Sequence, residues 1–187
     1  VKYISEYAFQ NCYLLNNVKM PKVESIGYDA FEYCYSLYQI ELPETLTSID
    51  SDAFYGCNRL VEVINKSELS ISTGSYDYGS VAYHAHNVVT DASNSKLVTN
   101  DNCVYFMDGD SKILIAVLDL SLKKVVIGED VYFANIGCLY GLNELEELET
   151  NTLNGHLGYL FGADEYWNQG IYVPQSLKKV VLLDDDD

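Results

Sequence analysis

The chain has 187 residues with 28 acidic and 11 basic side chains, and its formal net charge is -17. It lacks the clustered cations that displace counterions from phosphate, so nucleic acid is excluded as a partner. The same charge opposes binding to an anionic membrane, and an apolar fraction of 48% excludes disorder. No apolar run is long enough to span a bilayer, so we expect no direct membrane insertion.

An internal repeat of 22 to 23 residues organises residues 1–64. Ala-Phe recurs at 8–9, 30–31 and 53–54, and Cys, Leu and then Val or Ile follow each Phe at intervals of three residues. Each copy buries its apolar row only when a neighbour stacks on it, so the pattern predicts a solenoid. The Leu-x-x-Ile-x-Leu-Pro piece favours a short strand that ends at the proline.

A single helical turn is predicted between the strands of each copy. Asp29 and Asp52 each precede an Ala-Phe pair, which is typical of a helix N-cap. So short a helix is stable only when its neighbours stack on it. The predicted fold class is an α/β repeat solenoid of leucine-rich repeats, with mostly short β-strands, single-turn helices and one β-rich insertion.

The β-rich insertion is predicted at residues 65–120, where the repeat pattern stops. Two apolar runs flank Asp108, Gly109 and Asp110, and an Asp-Gly turn between such runs indicates a β-hairpin. Incidental calcium binding at these carboxylates is left open. The loop lacks the closing Glu of a twelve-residue calcium loop, which argues against a dedicated site.

Residues 121–187 resume a degenerate repeat. The sequence Ser-Leu-Lys-Lys-Val-Val at 121–126 recurs at 176–181, and a loop excursion is predicted at 155–172. The chain begins without Met and ends on four Asp in the middle of a repeat. We therefore expect it to be part of a longer array.

Cysteine and histidine give no pattern for a metal or a disulfide framework. Five cysteines are an odd number, and Cys12, Cys34 and Cys57 occupy one repeat column, which favours buried free thiols. His84 and His86 lack a third ligand at suitable spacing. We predict no metal site and no cofactor.

Catalytic motifs are also missing from the sequence. It contains no GxSxG, no Walker loop and no GxGxxG, and no local pattern marks two carboxylates for glycoside cleavage. We predict no enzymatic activity and no catalytic residue; a carbohydrate-active enzyme is the remote alternative.

Aromatic residues suggest one ligand-binding surface. Seventeen Tyr and one Trp exceed what a short solenoid core needs, and several lie in the loop excursion. Such rings dominate interface hot spots and also stack on sugars. The predicted ligand-binding residues of this loop are Tyr159, Tyr166, Trp167 and Tyr172. The alternative is that the rings fix the loop to the adjacent coil.

The strand face suggests a second surface. Gln39, Glu41 and Glu62 occupy outward strand positions and are also predicted ligand-binding residues. The degenerate repeat adds further acids at Glu144, Glu146, Glu147 and Glu149. Such an acidic stripe steers a basic partner, although solubility and protection against edge pairing explain it equally well.

The unit read from Leu37 to Cys57, Leu-x-x-Ile-x-Leu-Pro-x-x-Leu-x-x-Ile-x-x-x-Ala-Phe-x-x-Cys, resembles the BspA-type leucine-rich repeat. The resemblance covers most of the chain and is specific for residues 1–64. It implies a bacterial surface protein, secreted or attached to the cell wall and implicated in adhesion. The implied function is a non-catalytic binding module for a host or bacterial surface protein or a glycan. The alternative is a spacer that projects other domains; the oligomeric state is left open.

Overall fold

The computed structural model describes residues 1–151, 156–163, 165 and 167–183. The chain divides into two compact units, Val1–Lys96 and Leu97–Asp187. Both contain short parallel strands stacked one repeat apart, so the predicted leucine-rich repeat solenoid is confirmed. Residues 65–96 of the predicted insertion lie in the first unit and residues 97–120 in the second. No helix in the described ranges has the length and apolar character needed to cross a membrane.

Unit 1 contains two parallel sheets of three strands each. The strands are β1 (Tyr3–Ile4), β2 (Ser25–Ile26), β3 (Gln39–Leu42), β4 (Ser48–Ile49), β5 (Glu62–Asn65) and β6 (Asn87–Val89). One sheet has the order β1-β2-β4 and the other β3-β5-β6. Ile40 lies opposite Val63, which lies opposite Val88. Each of these coils thus places one apolar residue at the equivalent position in the core. Ile40 and Val63 belong to the predicted repeat column, and Val88 extends it.

The phenylalanine column forms the centre of this core. The rings of Phe9, Phe31 and Phe54 stack with centroids 5.0 Å apart. The thiols of Cys34 and Cys57 donate to carbonyl oxygens of the preceding coil at 3.2 Å. Burial raises the pKa of Cys34 to about 12. These two are therefore the buried free thiols that the sequence predicts, whereas Cys12 is exposed.

The segments after Asp29 and Asp52 are turns, so the predicted helical turns there are wrong. The two aspartates have φ of 51° and 56°, whereas an N-cap residue is extended. The N–H of Phe31 donates to the Ala53 carbonyl at 2.7 Å, and the N–H of Tyr33 donates to Tyr55 at 2.8 Å. Since these donors bond the next coil, they are not available for a helix.

The repeat continues past residue 64, where the sequence pattern stops. β6 extends the sheet parallel to β5. The Phe54 N–H donates to the Gly79 carbonyl at 2.7 Å, just as the Phe31 N–H donates to Ala53. Gly79 therefore occupies the alanine column, and Val81 and Ala82 enter the core beside it. The Ala-Phe and Cys signals are absent from this coil, which explains why its repeat was missed.

Replacing Gly79 by alanine is expected to destabilise unit 1. The φ of Gly79 is 63°, and an added Cβ would lie 2.5 Å from the Asp50 carbonyl oxygen. Gly74 is the matched control, because its φ is 74° but nothing lies within 4 Å of an added Cβ. We expect Gly79→Ala to cost about 1–3 kcal/mol more than Gly74→Ala in urea unfolding followed by circular dichroism. Equal losses would show that backbone strain alone decides the effect.

Unit 2 combines an antiparallel hairpin with degenerate repeats. Its elements are β7 (Leu97–Asn100), β8 (Cys103–Asp108), β9 (Ser111–Val117), β10 (Lys124–Ile127), β11 (Phe133–Ala134), β12 (Glu147–Thr150), α1 (Leu157–Leu160), α2 (Gln169–Tyr172) and β13 (Lys179–Leu182). β8 and β9 pair antiparallel across the Asp-Gly turn. The sheets have the orders β11-β9-β8-β7 and β10-β12-β13. The single-turn helices α1 and α2 lie in the predicted loop excursion, and the four terminal Asp lie outside the described residues.

Candidate functional site

A groove of about 310 Å³ lies on the outward face of the sheet β3-β5-β6. Ile40 and Leu42 of β3 point into the core, so the alternate residues Gln39 and Glu41 point outward. Both line the groove, together with Asn16, Asn17, Val18, Lys19, Met20, Pro21, Tyr38, Pro43 and Ile64. Two of the predicted strand-face residues thus lie in one concave site.

Three successive coils build the groove floor. Asn17 and Lys19 lie 22 residues before Gln39 and Glu41 in the sequence. Glu41 lies opposite Ile64 of the next strand. Tyr38 and two prolines add apolar surface to the amides and the two opposite charges. The groove lining therefore combines hydrogen-bonding groups with apolar surface.

Glu62, the third predicted strand-face residue, is fully buried and does not line the groove. Its Oε1 accepts from Asn87 Nδ2 at 2.8 Å and from the Lys96 N–H at 2.9 Å. Its Oε2 accepts from Gln39 Nε2 at 2.7 Å and from Ser95 Oγ at 2.5 Å. The exposure expected from the sequence is therefore wrong: Glu62 does point outward, but residues 95 and 96 return over it.

The pKa of Glu62 reflects this environment. Burial raises the pKa of the carboxyl group, but the hydrogen bonds from Ser95, Lys96 and Asn87, together with that from Gln39, outweigh burial. The pKa therefore lies below its ordinary value and the group is ionised at neutral pH. Glu62 fastens the end of unit 1 to its sheet rather than meeting a ligand.

Lysines pair with three of the four glutamates predicted as an acidic stripe in unit 2. Lys124 lies opposite Glu147, which lies opposite Lys179, and the Glu147 carboxylate is 3.2 Å and 3.0 Å from their ammonium groups. Hydrogen bonds from Lys179 and then Lys124 lower the pKa of Glu147 to about 2. Glu146 and Glu149 are also paired with lysines. Because cations alternate with the acids, this sheet face presents a mixed surface.

The predicted aromatic loop is divided between core and surface. Tyr172 packs against the core of unit 2, and burial raises the pKa of Tyr159. Trp167 is 69% exposed. Tyr166 lies outside the described residues. Ligand binding by this loop stays a prediction, and in the described part of it Trp167 is the ring that a ligand would meet first.

The turns of unit 1 carry a second aromatic surface that sequence reasoning missed. We define the tyrosine surface as Tyr7, Tyr13, Tyr28, Tyr33, Tyr35, Tyr55, Tyr76 and Tyr83. Centroids lie 5.7 Å apart for Tyr7 and Tyr28, and 5.7 Å apart for Tyr33 and Tyr55. Tyr13 stacks on Tyr35 at 5.4 Å, and Tyr76 stacks on Tyr83 at 4.1 Å. The 22-residue spacing of Tyr13 and Tyr35, and of Tyr33 and Tyr55, was the available signal.

A comparison with known protein families agrees with the repeat architecture of unit 1. A family model described as a BspA type leucine rich repeat region matches residues 1–87, in six copies. A leucine rich cell surface protein from Faecalibacterium prausnitzii A2-165 is similar, with 15% identity and a TM-score of 0.45 over 97% of this chain and 51% of that one. A leucine-rich repeat protein from Bacteroides ovatus ATCC 8483 shows 19% identity and a TM-score of 0.32 over 98% and 52%. The chain thus spans about half the length of both structures. A search of curated proteins found no match.

Proposed function

Residues 1–87 belong to the BspA-type leucine-rich repeat family, and we propose that the chain is a non-catalytic binding module of a bacterial surface protein. The observation that carries the proposal is the groove on the outward face of β3. Three repeats line it, and the parallel register of β3 and β5 places Glu41 opposite Ile64. A rigid, preformed site loses little entropy when it binds a ligand.

The composition of the groove indicates the class of ligand. The Asn17 amide offers a donor and an acceptor, and the Gln39 amide offers its oxygen as an acceptor while its Nε2 donates to Glu62. The Tyr38 ring and the prolines offer apolar surface. This combination suits an extended segment of a surface protein or a glycan. The ionisable side chains of the groove are Lys19, Tyr38 and Glu41, which provide no nucleophile paired with a base. The proposal therefore involves no catalysis.

The groove is tested by immobilising the chain and applying a panel of host matrix proteins, bacterial surface proteins and glycans. In a double variant, Asn17→Trp fills part of the groove and Lys19→Glu reverses its one positive charge. We expect at least about tenfold weaker binding, or about 1.4 kcal/mol, for each ligand found. Lys22→Glu is the control, because it makes the same charge reversal at an exposed residue outside the groove.

The alternative function is a structural spacer, which is favoured by the continuous stack of Phe9, Phe31 and Phe54. A spacer needs a regular core but no ligand. It predicts that no member of the panel binds above background, and that Trp167→Ala changes nothing. If a ligand binds the groove double variant as tightly as the wild type, the groove is not the binding site and the ligand binds another surface of the chain.

A further inference from the structure

The two ends of the sheet β10-β12-β13 differ in how well their apolar side chains are covered. The inward residues form two rows, which are Val125, Leu148 and Val180, and Ile127, Thr150 and Leu182. At the β10 end, where residues of β9 join the same core, Val125 and Ile127 are 6% and 1% exposed. At the β13 end, Val180 and Leu182 are 39% and 61% exposed. In the described part of unit 2, the apolar core is therefore open at β13.

β13 also has an unpaired backbone edge. It is the last strand of its sheet, and within the described residues no strand pairs with its other side, which we call the free edge. The Lys179 N–H donates to the Glu146 carbonyl at 3.1 Å, so the backbone of Lys179 faces β12. Backbone groups alternate in direction along a strand, so those of Val180 and Leu182 face the free edge. Such an edge is a template for a further strand.

The charge pattern of the three strands indicates which strand fits this edge. The first and third strand segments carry Lys-Lys, and the middle segment carries Glu-Glu at the equivalent positions. Glu146 lies 3.7 Å from the ammonium group of Lys123 and 2.8 Å from that of Lys178. Glu147 likewise lies between two lysines. Because basic and acidic pairs alternate across the sheet, an acidic pair continues the pattern beyond β13.

The lysines beside the free edge are paired on one side. Within the described residues, the ion pairs of Lys178 and Lys179 are with Glu146 and Glu147, on the β12 side. Each of these carboxylates is shared with a lysine on the β10 side. Both Lys178 and Lys179 are exposed. Positive charge, open apolar positions and unpaired backbone groups therefore coincide at one edge.

We propose that the free edge of β13 binds an acidic segment of a partner protein, which adds to the sheet as a parallel strand. Two consecutive carboxylates of the segment pair with Lys178 and Lys179, and alternate apolar side chains that follow them cover Val180 and Leu182. Strand addition gains affinity from main-chain hydrogen bonds and specificity from alternate side chains. The site is independent of the groove, because every residue that lines the groove belongs to unit 1.

The test uses the full chain and a labelled, end-capped peptide with the sequence of residues 143–150, Asn-Glu-Leu-Glu-Glu-Leu-Glu-Thr. This sequence has the required pattern, because in the protein it pairs with both lysine-bearing strands. Fluorescence anisotropy measures its affinity beside that of a peptide with glutamine in place of each glutamate. We expect the glutamate peptide to bind below about 1 mM and the glutamine peptide at least about fivefold more weakly. Added salt is expected to weaken binding, because the lysines are exposed.

Methylated peptides test strand addition itself. In the protein the Glu147 N–H donates to the Lys123 carbonyl of the preceding coil at 2.9 Å. Since directions alternate, the Glu149 N–H faces the same neighbour and the Leu148 N–H faces the other side. N-methylation of the peptide at the position of Glu149 is therefore expected to weaken binding at least about fivefold, because it removes a donor to β13. N-methylation at the position of Leu148 is the control and is expected to leave the affinity unchanged.

Two variants with matched controls locate the site on the protein. Lys179→Gln removes a charge beside the free edge, and Lys124→Gln is its control, because both lysines pair with Glu147. Leu182→Thr makes an open core position polar, and Val126→Thr is its control at an exposed outward position of β10. The site variants are expected to weaken binding of the glutamate peptide by about threefold or more. The controls are expected to bind like the wild type. If Leu182→Thr fails to fold, Lys179→Gln carries the test alone.

Four results would overturn the proposal. They are absence of binding up to about 1 mM, equal binding of the glutamate and glutamine peptides, equal effects of the two methylations, and equal effects of the site variants and their controls.

Two further outcomes would assign the edge to another occupant. Tighter binding of a peptide with lysine in place of each glutamate would assign the attraction to the four Asp that end the sequence. A dimer of the chain in sedimentation, lost in Leu182→Thr, would assign the edge to a second copy. The groove double variant is expected to bind the glutamate peptide normally, and Lys179→Gln is expected to leave binding in the groove unchanged. Failure of the groove proposal and failure of this one are therefore distinguishable.

Discussion

Replacing Glu62 by alanine is expected to lower the free energy of unfolding of unit 1 by about 3 kcal/mol. The carboxylate accepts four hydrogen bonds and is fully buried. Alanine leaves these donors without their charged acceptor and opens a void beneath residues 95 and 96. We also expect those residues to lose protection in hydrogen exchange, because the Lys96 N–H bonds directly to Glu62.

Glu41→Ala is the matched control for this prediction. Glu41 also points outward from the same sheet, but it is exposed and makes a solvent-accessible ion pair with Lys66. Its removal is expected to cost no more than about 1 kcal/mol. Urea unfolding followed by circular dichroism measures both variants. Similar losses for the two would show that Glu62 does not fasten the chain segment above it.

Stability is also expected to depend on pH through Glu62. The folded-state pKa is lowered, so this stabilisation is fully present above the unfolded pKa of about 4.3. It is lost as the pH falls through the folded-state value, because the unfolded chain then binds the proton more readily. The wild type should therefore lose more stability on acidification than Glu62→Ala. Parallel pH profiles would contradict this.

The apolar register of unit 1 was predictable because every column repeats at 22 to 23 residues. Ile4, Ile26 and Ile49 align as expected, and Phe9, Phe31 and Phe54 stack as expected. Stacked coils must place equivalent residues side by side, so period alone determines these contacts. The same logic correctly placed Gln39 and Glu41 on the outward face.

Features that depend on unrepeated segments were not predictable in this way. The burial of Glu62 depends on Ser95 and Lys96, which lie more than thirty residues further along and repeat nothing. The left-handed turn residues do recur at the repeat period, since Tyr7, Asp29 and Asp52 have φ values of 59°, 51° and 56°, but the residue type changes from coil to coil and so does not mark the conformation. The tyrosine surface follows from those turns, so periodicity in apolar residues did not indicate it.

Truncating Phe31 to alanine is expected to have the largest effect on stability, about 3–5 kcal/mol. Its ring is fully buried between Phe9 and Phe54, with a centroid 5.0 Å from each. The substitution leaves a cavity that cannot collapse without shifting two coils, because the Phe31 N–H also bonds to the next coil. Urea unfolding followed by circular dichroism measures the loss.

Phe9→Ala tests whether the stack itself is the cause. Phe9 occupies the same column, but it is only half-buried and stacks on a single phenylalanine ring. Its loss is expected to cost about 1–2 kcal/mol, because less apolar surface returns to water. Phe31→Leu, which keeps most of the volume, is expected to fall between the two alanine variants. If Phe9→Ala proved as costly as Phe31→Ala, position within the stack would not determine stability, and the phenylalanine column would contribute only the burial of separate rings.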